Sequence, residues 1–393
     1  MSQTVLLTLG RLPKALEMAR ALAAAGCRVI VAEPFKRHLT GASRAVARSV
    51  VVHSPVDDHE RYLADLLRII DEEGVQLVVP VSEEILFAAA LRERVPEGVR
   101  VFSMPLATLR VLHDKHSFVG VCAAAGVAAP QTRALDASDA QALADAGPTV
   151  VKPVASCSGR GVQFLERGAR LPRVDEPCIV QEFCRGQVLS TFSVARQGRV
   201  LLTVTYRGAV MQGTVAVCFE RIDTPPEVAE WVERFVGHCE FDGFVSFDLV
   251  QQADGRVRGI ECNPRATSGI HFVAPEGLAA AILHPEQLPT LRYRGERLLQ
   301  QFYPCLTETQ KSMFTERFAR NLHFLRRARD VTWSLRDPWP WLSMPLTSWT
   351  IIEQALRRGC TFGEVAMLDM AWTGGPAGDA GKRVAAIQTA DVK

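Results

Sequence analysis

The sequence predicts a parallel α/β lobe, followed by α+β lobes and a mostly helical carboxy-terminal region. Strand-like and helix-like segments alternate through residue 102, the pattern of a parallel sheet with crossover helices. From about 175 to 265 the apolar runs are short and separated by turn signals, the pattern of antiparallel pairing. From Glu276 onward helical patterns return.

In order, the first lobe reads as strand Thr4–Leu9, helix Pro13–Ala25, strand Arg28–Ala32, helix Asp58–Glu72, strand Gln76–Val81, helix Glu84–Arg92 and strand Val99–Phe102. Gly10 follows the first strand, yet no G-x-G-x-x-G is present, and Glu33 at the end of the second strand does not by itself make a nicotinamide site. Residues 106–145 read as helices, and the β-branched run from Thr149 opens a strand-rich region, with a boundary near 105. A helix is expected over Gln310–Arg329, rich in arginine and phenylalanine, as an amphipathic layer. Trp333, Trp339, Trp341 and Trp349 crowd a stretch broken by Pro338, Pro340 and Pro345, which is expected to pack onto the preceding lobes rather than form a membrane-interface belt. The last residues, 373–393, with Gly374-Gly375-Pro376, read as a frayed tail, and no internal repeat is seen.

A chain of 393 residues should hold more than one core. The hydrophobic content of 48% with 22% charged residues is ordinary for a globular protein, and a formal charge of +2 offers no reason to invoke nucleic acid. Ten cysteines include no C-x-x-C pair and no zinc-finger spacing, so reduced thiols in a cytoplasmic protein are expected. Met1-Ser2-Gln3-Thr4 lacks the charged start of a signal peptide, and no apolar run of about 18 residues or more implies a membrane span.

The most specific chemistry lies in Phe244–Val250 and Arg256–Cys262, two apolar runs flanking Asp254-Gly255, a strong hairpin-turn signal. With 254 and 255 as the turn, Ala253 faces Arg256 and Asp248 falls opposite Glu261. Facing side chains of paired strands lie roughly 5 Å apart, and like charges there repel. Asn263, two residues on, adds an amide oxygen to the same face, and an oxygen-only set of this kind suits Mg²⁺ or Mn²⁺. A carboxylate pair on a solvated sheet face would be the bland alternative, but Asp248 interrupts an apolar strand and Asn263-Pro264-Arg265 brings a guanidinium to its end. A cation site beside an arginine reads as a phosphate site.

Lys152 closes the run Thr149-Val150-Val151 and is followed by Ser156-Cys157-Ser158-Gly159-Arg160-Gly161, a small-residue loop whose backbone could approach phosphate. It is not a Walker A loop. Lys115 after Asp114, Lys152 in Val150-Val151-Lys152-Pro153, this loop, Gln181-Glu182-Phe183 with Gly186, Asp248, and Glu261-Cys262-Asn263-Pro264-Arg265 stand in the order found in ATP-grasp enzymes. Over about residues 1–285 the chain resembles that superfamily, most closely its carbamoyl-phosphate-synthase-like and amino-acid-ligase branches.

The resemblance implies an α/β domain over 1–105 and two α+β lobes, 106–185 and 186–285, clasping ATP, followed by a helical, tryptophan-rich region over 286–372. It further implies that Lys115 and Lys152 hold the α- and β-phosphates while the loop with Ser156, Ser158, Gly159 and Gly161 closes over them. Gln181, Glu182, Phe183 and Cys184 would bond adenine through their backbone. Asp248, Glu261 and Asn263 would hold Mg²⁺, and Arg265, with Lys152, would act on the γ-phosphoryl group. Val188 stands where members often have a ribose-binding glutamate. The implied activity is ligation of a small carboxylate to an amine through an acyl phosphate, releasing ADP and phosphate. Another ATP-grasp phosphotransferase or carboxylase-like activity on a small acid, and a non-catalytic ATP-binding scaffold, are the alternatives, and a homo-oligomer is open.

Glu83 and Glu84 lie at a carboxyl strand end, the ligand side of open α/β sheets, and either one could touch substrate or simply start a helix. Arg207, Ser268 and His271 are further candidate substrate contacts. His113 and His116 have helical spacing without a third ligand, so a surface pair is expected rather than zinc. Cys262 should point into the core, and Cys157 falls in the loop over the phosphates.

Overall fold

The computed structural model describes residues 3–156, 159–287, 291–358 and 362–372. The first lobe runs β1 (Thr4–Leu7), α1 (Pro13–Ala24), β2 (Arg28–Glu33), β3 (Arg48–Val51), α2 (His59–Glu73), β4 (Leu77–Val79), α3 (Ile85–Ala88) and β5 (Arg100–Val101). All five strands are parallel, in the order β3-β2-β1-β4-β5. β1 and β4 are buried on both faces, Val5 and Leu7 toward α1 and Leu6, Ile30 and Val78 toward α2, as a sheet covered by crossover helices requires. Asp58 caps α2 by accepting from the Arg61 amide at 3.0 Å, and Gly74 ends it at a φ of 60°. The exposed strand β3 was not expected from the sequence, since its burial pattern carries no apolar period.

Helices α4 (Leu106–His113) and α5 (Lys115–Ala124) lead to β6 (Thr132–Ala134), α6 (Ala140–Ala146), β7 (Thr149–Pro153), β8 (Gln163–Leu165) and β9 (Cys178–Glu182). These strands form an antiparallel sheet, β6-β9-β7-β8. Val151, Cys178 and Val180 turn to α6, so alternation turns Lys152 and its cross-strand partner Ile179 to the other face.

A second, larger sheet contains β10 (Gln187–Arg196), β11 (Arg199–Gln212), β12 (Val215–Ile222), β13 (Gly243–Gln251) and β14 (Val257–Asn263), with α7 (Pro226–His238) on one face and α8 (Pro275–Leu283) reached through the 3₁₀ turn Ser268–Phe272 on the other. β15 (Leu298–Gln300) and β16 (Arg329–Asp330) extend it to seven strands in the order β14-β13-β10-β11-β12-β15-β16. The region after 286 therefore contributes two short strands as well as helices. The single helix expected over Gln310–Arg329 is instead α9 (Phe302–Lys311) and α10 (Arg317–Arg327), split where Ser312 bonds the Thr309 carbonyl and accepts from Asn321.

One apolar core joins the first lobe to the large sheet: Val5, Leu7 and α1 residues pack with Phe192, Tyr206, Phe272 and Leu278. This packing brings the carboxyl ends of the parallel strands against the hairpin of β13 and β14. At the carboxy terminus Trp341 packs against Phe302, Tyr303 and Trp333 with ring centroids 5.4–5.7 Å apart, while Trp339 and Trp349 are exposed. Among the described residues no helix is long and apolar enough to cross a membrane.

Candidate active site

Asp248 and Glu261 do face each other across β13 and β14, but two offsets produce the pairing. Asp254 and Gly255 are not a two-residue turn. The Gln252 amide donates to the Arg256 carbonyl at 2.9 Å, enclosing a three-residue loop that ends on Gly255 at φ 83°. Pairing beyond it is shifted by one residue, with Val250 against Arg258 and Leu249 against Gly259. A bulge at Ile260 then restores Asp248 to Glu261 and sets Asn263 against Ser246. Without the bulge Glu261 would turn to the opposite face. Gly259 is required there, because a Cβ at that position would lie 2.4 Å from Trp231 Cζ2.

The Asp248 carboxylate accepts from Ser190 Oγ at 2.7 Å and, weakly, from Asn263 Nδ2 at 3.4 Å. Burial and the facing Glu261 push its carboxyl up to about 6. From the first α+β lobe, Lys115 Nζ reaches 3.8 Å from Glu261 Oε1 while donating to the Ser156 carbonyl at 2.8 Å, and Lys152 Nζ donates to the Ile260 carbonyl at 3.0 Å. Both lysines are buried. Burial, with Lys115 acting in the same sense and Glu261 against it, lowers the Lys152 ammonium to about 8. Among the described residues no three His, Cys, Asp or Glu side chains gather as a metal cluster. The two carboxylates and the Asn263 amide, whose Oδ1 accepts from Arg265 while its Nδ2 faces Asp248, carry the oxygen donors that suit a hard divalent cation.

Arg265 continues this row. Its Nη2 donates to Asn263 Oδ1 at 2.9 Å and forms an ion pair with Glu83, which is 1% exposed in the turn after β4. Burial raises the Glu83 carboxyl, but the Arg265 charge, helped by His113 and Lys14, outweighs it and holds it at about 2. Glu84 does different work: it accepts from the Val81 and Ser82 amides at 2.6 and 2.9 Å and from Thr8 Oγ1 at 3.0 Å, and burial raises its pKa.

In the stretch 181–184, the buried Gln181 side chain donates to Thr132 Oγ1 at 3.0 Å, and Glu182 accepts from Arg258 Nη1 at 2.7 Å. The amides of Glu182 and Phe183 are taken by the carbonyls of Gln131 and Pro148 at 2.8 and 3.0 Å. The Phe183 ring meets Phe164 edge-on at 5.9 Å, and Cys184 Sγ lies 3.7 Å from Arg258 Nη1. Ser156 is buried beside Lys115, and Gly159 and Gly161 hold φ of 69° and 72°. Ser158 and Cys157 lie outside the described residues. Val188 is 58% exposed, in register with Val250.

Other candidates lie elsewhere. Asp248 pairs with Ser190 and Ser190 with Tyr206, so Arg207 faces away from Asp248 and pairs with Glu220 at 2.8 Å. Ser268 opens the 3₁₀ turn. His271 is buried and bonded to Glu17 at 3.1 Å, in a group completed by Arg294. His113 is not a surface residue: it is buried, its pKa lowered by that burial, while His116 is exposed. Cys262 is a buried thiol, as expected. Sequence reasoning missed Ser190, which supports Asp248 from 58 residues away, and Lys14, which donates to the Ala266 carbonyl at 2.9 Å. Neither has a local signal, because each depends on which strands and lobes pair.

Residues 112–269 match the ATP-grasp domain family. The solved structures that resemble the chain share its fold. N5-carboxyaminoimidazole synthetase from Staphylococcus aureus superposes with a TM-score of 0.63 at 13% identity, over 80% of this chain and 86% of that one. An L-amino acid ligase from Bacillus licheniformis gives 0.57 at 16% identity, over 72% of this chain and 74% of that one. Biotin carboxylase from Campylobacter jejuni, as a complex with an ATP analogue, gives 0.57 at 14% identity, over 73% and 70%. No curated protein sequence matches the chain.

Proposed function

We propose that the protein is an ATP-dependent carboxylate–amine ligase that works through an acyl phosphate. The observation that carries this reading is that Lys115 meets Glu261, Arg265 meets Asn263 and Lys152 bonds the Ile260 carbonyl next to Glu261, so three cations from different segments gather at the Asp248–Glu261 pair. Phosphoryl transfer asks mainly for positioning and charge neutralisation, which this set supplies.

Lys115 and Lys152 bind the α- and β-phosphates, and Ser156, Gly159 and Gly161 belong to the loop that covers them. Adenine bonds the backbone of 181–184, where the Cys184 amide and the carbonyls serve, since the Glu182 and Phe183 amides are already engaged. Asp248, Glu261 and Asn263 hold Mg²⁺, which when bound offsets the charge of the phosphate oxygens. Arg265 steadies the γ-phosphoryl group.

A carboxylate oxygen of the acid substrate attacks the γ-phosphorus, the bond to the β–γ bridging oxygen breaks, and ADP leaves with that electron pair. The amine then attacks the acyl carbon, the C–O bond to phosphate breaks, and the amine loses a proton to solvent as the amide forms. The presence of an amino acid ligase among the similar structures supports C–N ligation.

Incubation with ATP, Mg²⁺ and pools of amino acids tests the reading. ADP and phosphate should appear only with an added acid and amine, and Glu261→Ala should reduce release by about a hundredfold or more. AMP and pyrophosphate would overturn the acyl-phosphate route. Release supported by bicarbonate without any amine would indicate a carboxylase, and ATP binding without turnover would indicate a scaffold.

A further inference from the structure

Glu83 lies in the turn between β4 and α3 of the first lobe, yet its carboxylate ends at Arg265, two residues beyond Asn263. It is 1% exposed and ion-paired with Arg265. The guanidinium it holds lies close to the metal-binding oxygens. Arg265 Nη2 is 2.9 Å from Asn263 Oδ1, and Asn263 Nδ2 is 3.4 Å from Asp248 Oδ2, so a single amide separates the cation from that carboxylate. A guanidinium released from Glu83 would swing to Asp248 and Glu261, where a divalent cation must bind, because a charge in this desolvated setting seeks the next available partner.

We propose that Glu83 is a positioning residue that keeps Arg265 off the metal-binding carboxylates, so that the first lobe sets the metal affinity of the ATP-grasp site. The proposal rests on the reading of Asp248, Glu261 and Asn263 as metal ligands. It assigns Glu83 no contact with substrate. The other charged groups near Glu83 are His113 and Lys14, and both act on its carboxyl in the same sense as Arg265 but less strongly; Lys14 also donates to the Ala266 carbonyl.

The test is Mn²⁺ affinity in the presence of ADP, measured by electron paramagnetic resonance on the full chain, with melting curves to confirm folding. Glu83→Gln should weaken Mn²⁺ binding about tenfold or more, the scale of an outer-shell effect on a metal site. Glu83→Gln combined with Arg265→Gln should return it to the wild-type range, because the competing cation is gone. Removing both charges also avoids stranding one of them, so the double variant should fold even where the single one does not. Arg265→Gln alone should bind Mn²⁺ no more weakly than wild type. Unchanged affinity in Glu83→Gln, weakening that the second substitution fails to reverse, or weakening in Arg265→Gln alone would each overturn the proposal. Wild-type protein that binds ADP but takes up no Mn²⁺ in that complex would instead remove the metal reading, and with it the role of Glu83.

Discussion

Glu83 has a carboxyl near 2 because the Arg265 charge exceeds the burial penalty. A carboxyl whose folded pKa is lowered adds stability above its unfolded value, near 4.3, and loses it as pH falls toward the folded one. The shift corresponds to roughly 3 kcal/mol, present at neutral pH and lost between about pH 4.5 and 2. Urea unfolding across that range should show this loss in wild type and a flatter profile in Glu83→Gln. Lys152 runs the other way: its ammonium is lowered to about 8, so the folded apoprotein bears a cost for keeping it charged. Lys152→Met is expected to abolish ADP binding, read by calorimetry, without lowering the melting temperature, since a buried charge is exchanged for an apolar side chain of similar length. Among single residues, chemistry was legible wherever a side chain type is costly in its place. Asp248 in an apolar strand and Lys152 at a strand end stood out for this reason, whereas His113 and His271 did not reveal that they are buried.

The hairpin of β13 and β14 shows how a correct pairing can follow from an incorrect turn. Counting from Asp254-Gly255 reached Asp248 opposite Glu261, but the loop is one residue longer and the Ile260 bulge removes the error. A bulge has no sequence period of its own. Its marker, Gly259, becomes meaningful only once Trp231 of α7 is known to lie against it. Gly259→Ala should therefore cost about 1–3 kcal/mol by overpacking, read from chemical denaturation. It should also weaken nucleotide binding if the bulge straightens and turns Glu261 away. In the first lobe β1, β2, β4 and α2 were readable because these strands are mostly apolar and α2 carries its caps, whereas the exposed β3 was not. β15 and β16, of three and two residues, are too short to show any period.

At the scale of the molecule, the site exists because separate units are clamped together. The carboxy-terminal region is tied to the first lobe by Asp337, which accepts from Arg20 Nε at 2.9 Å and Ser43 Oγ at 2.6 Å, and by Asp369, which accepts from Arg11 at 2.6 and 2.8 Å. Asp337→Ala leaves the partly buried Arg20 without its carboxylate and should lower stability by about 2–4 kcal/mol, seen as an earlier thermal transition.

By itself the sequence determined the alternating parallel pattern of the first lobe and placed Asp248 and Glu261 on neighbouring strands of one hairpin, because strand period and turn chemistry act over a few residues; their direct opposition is the work of the Ile260 bulge. Only the tertiary structure decided that Glu83 holds Arg265, that Ser190 supports Asp248 and that Arg207 faces away. Those contacts depend on the pairing of strands and the docking of lobes far apart in the chain, which is set by burial of a shared core and leaves no mark in local spacing.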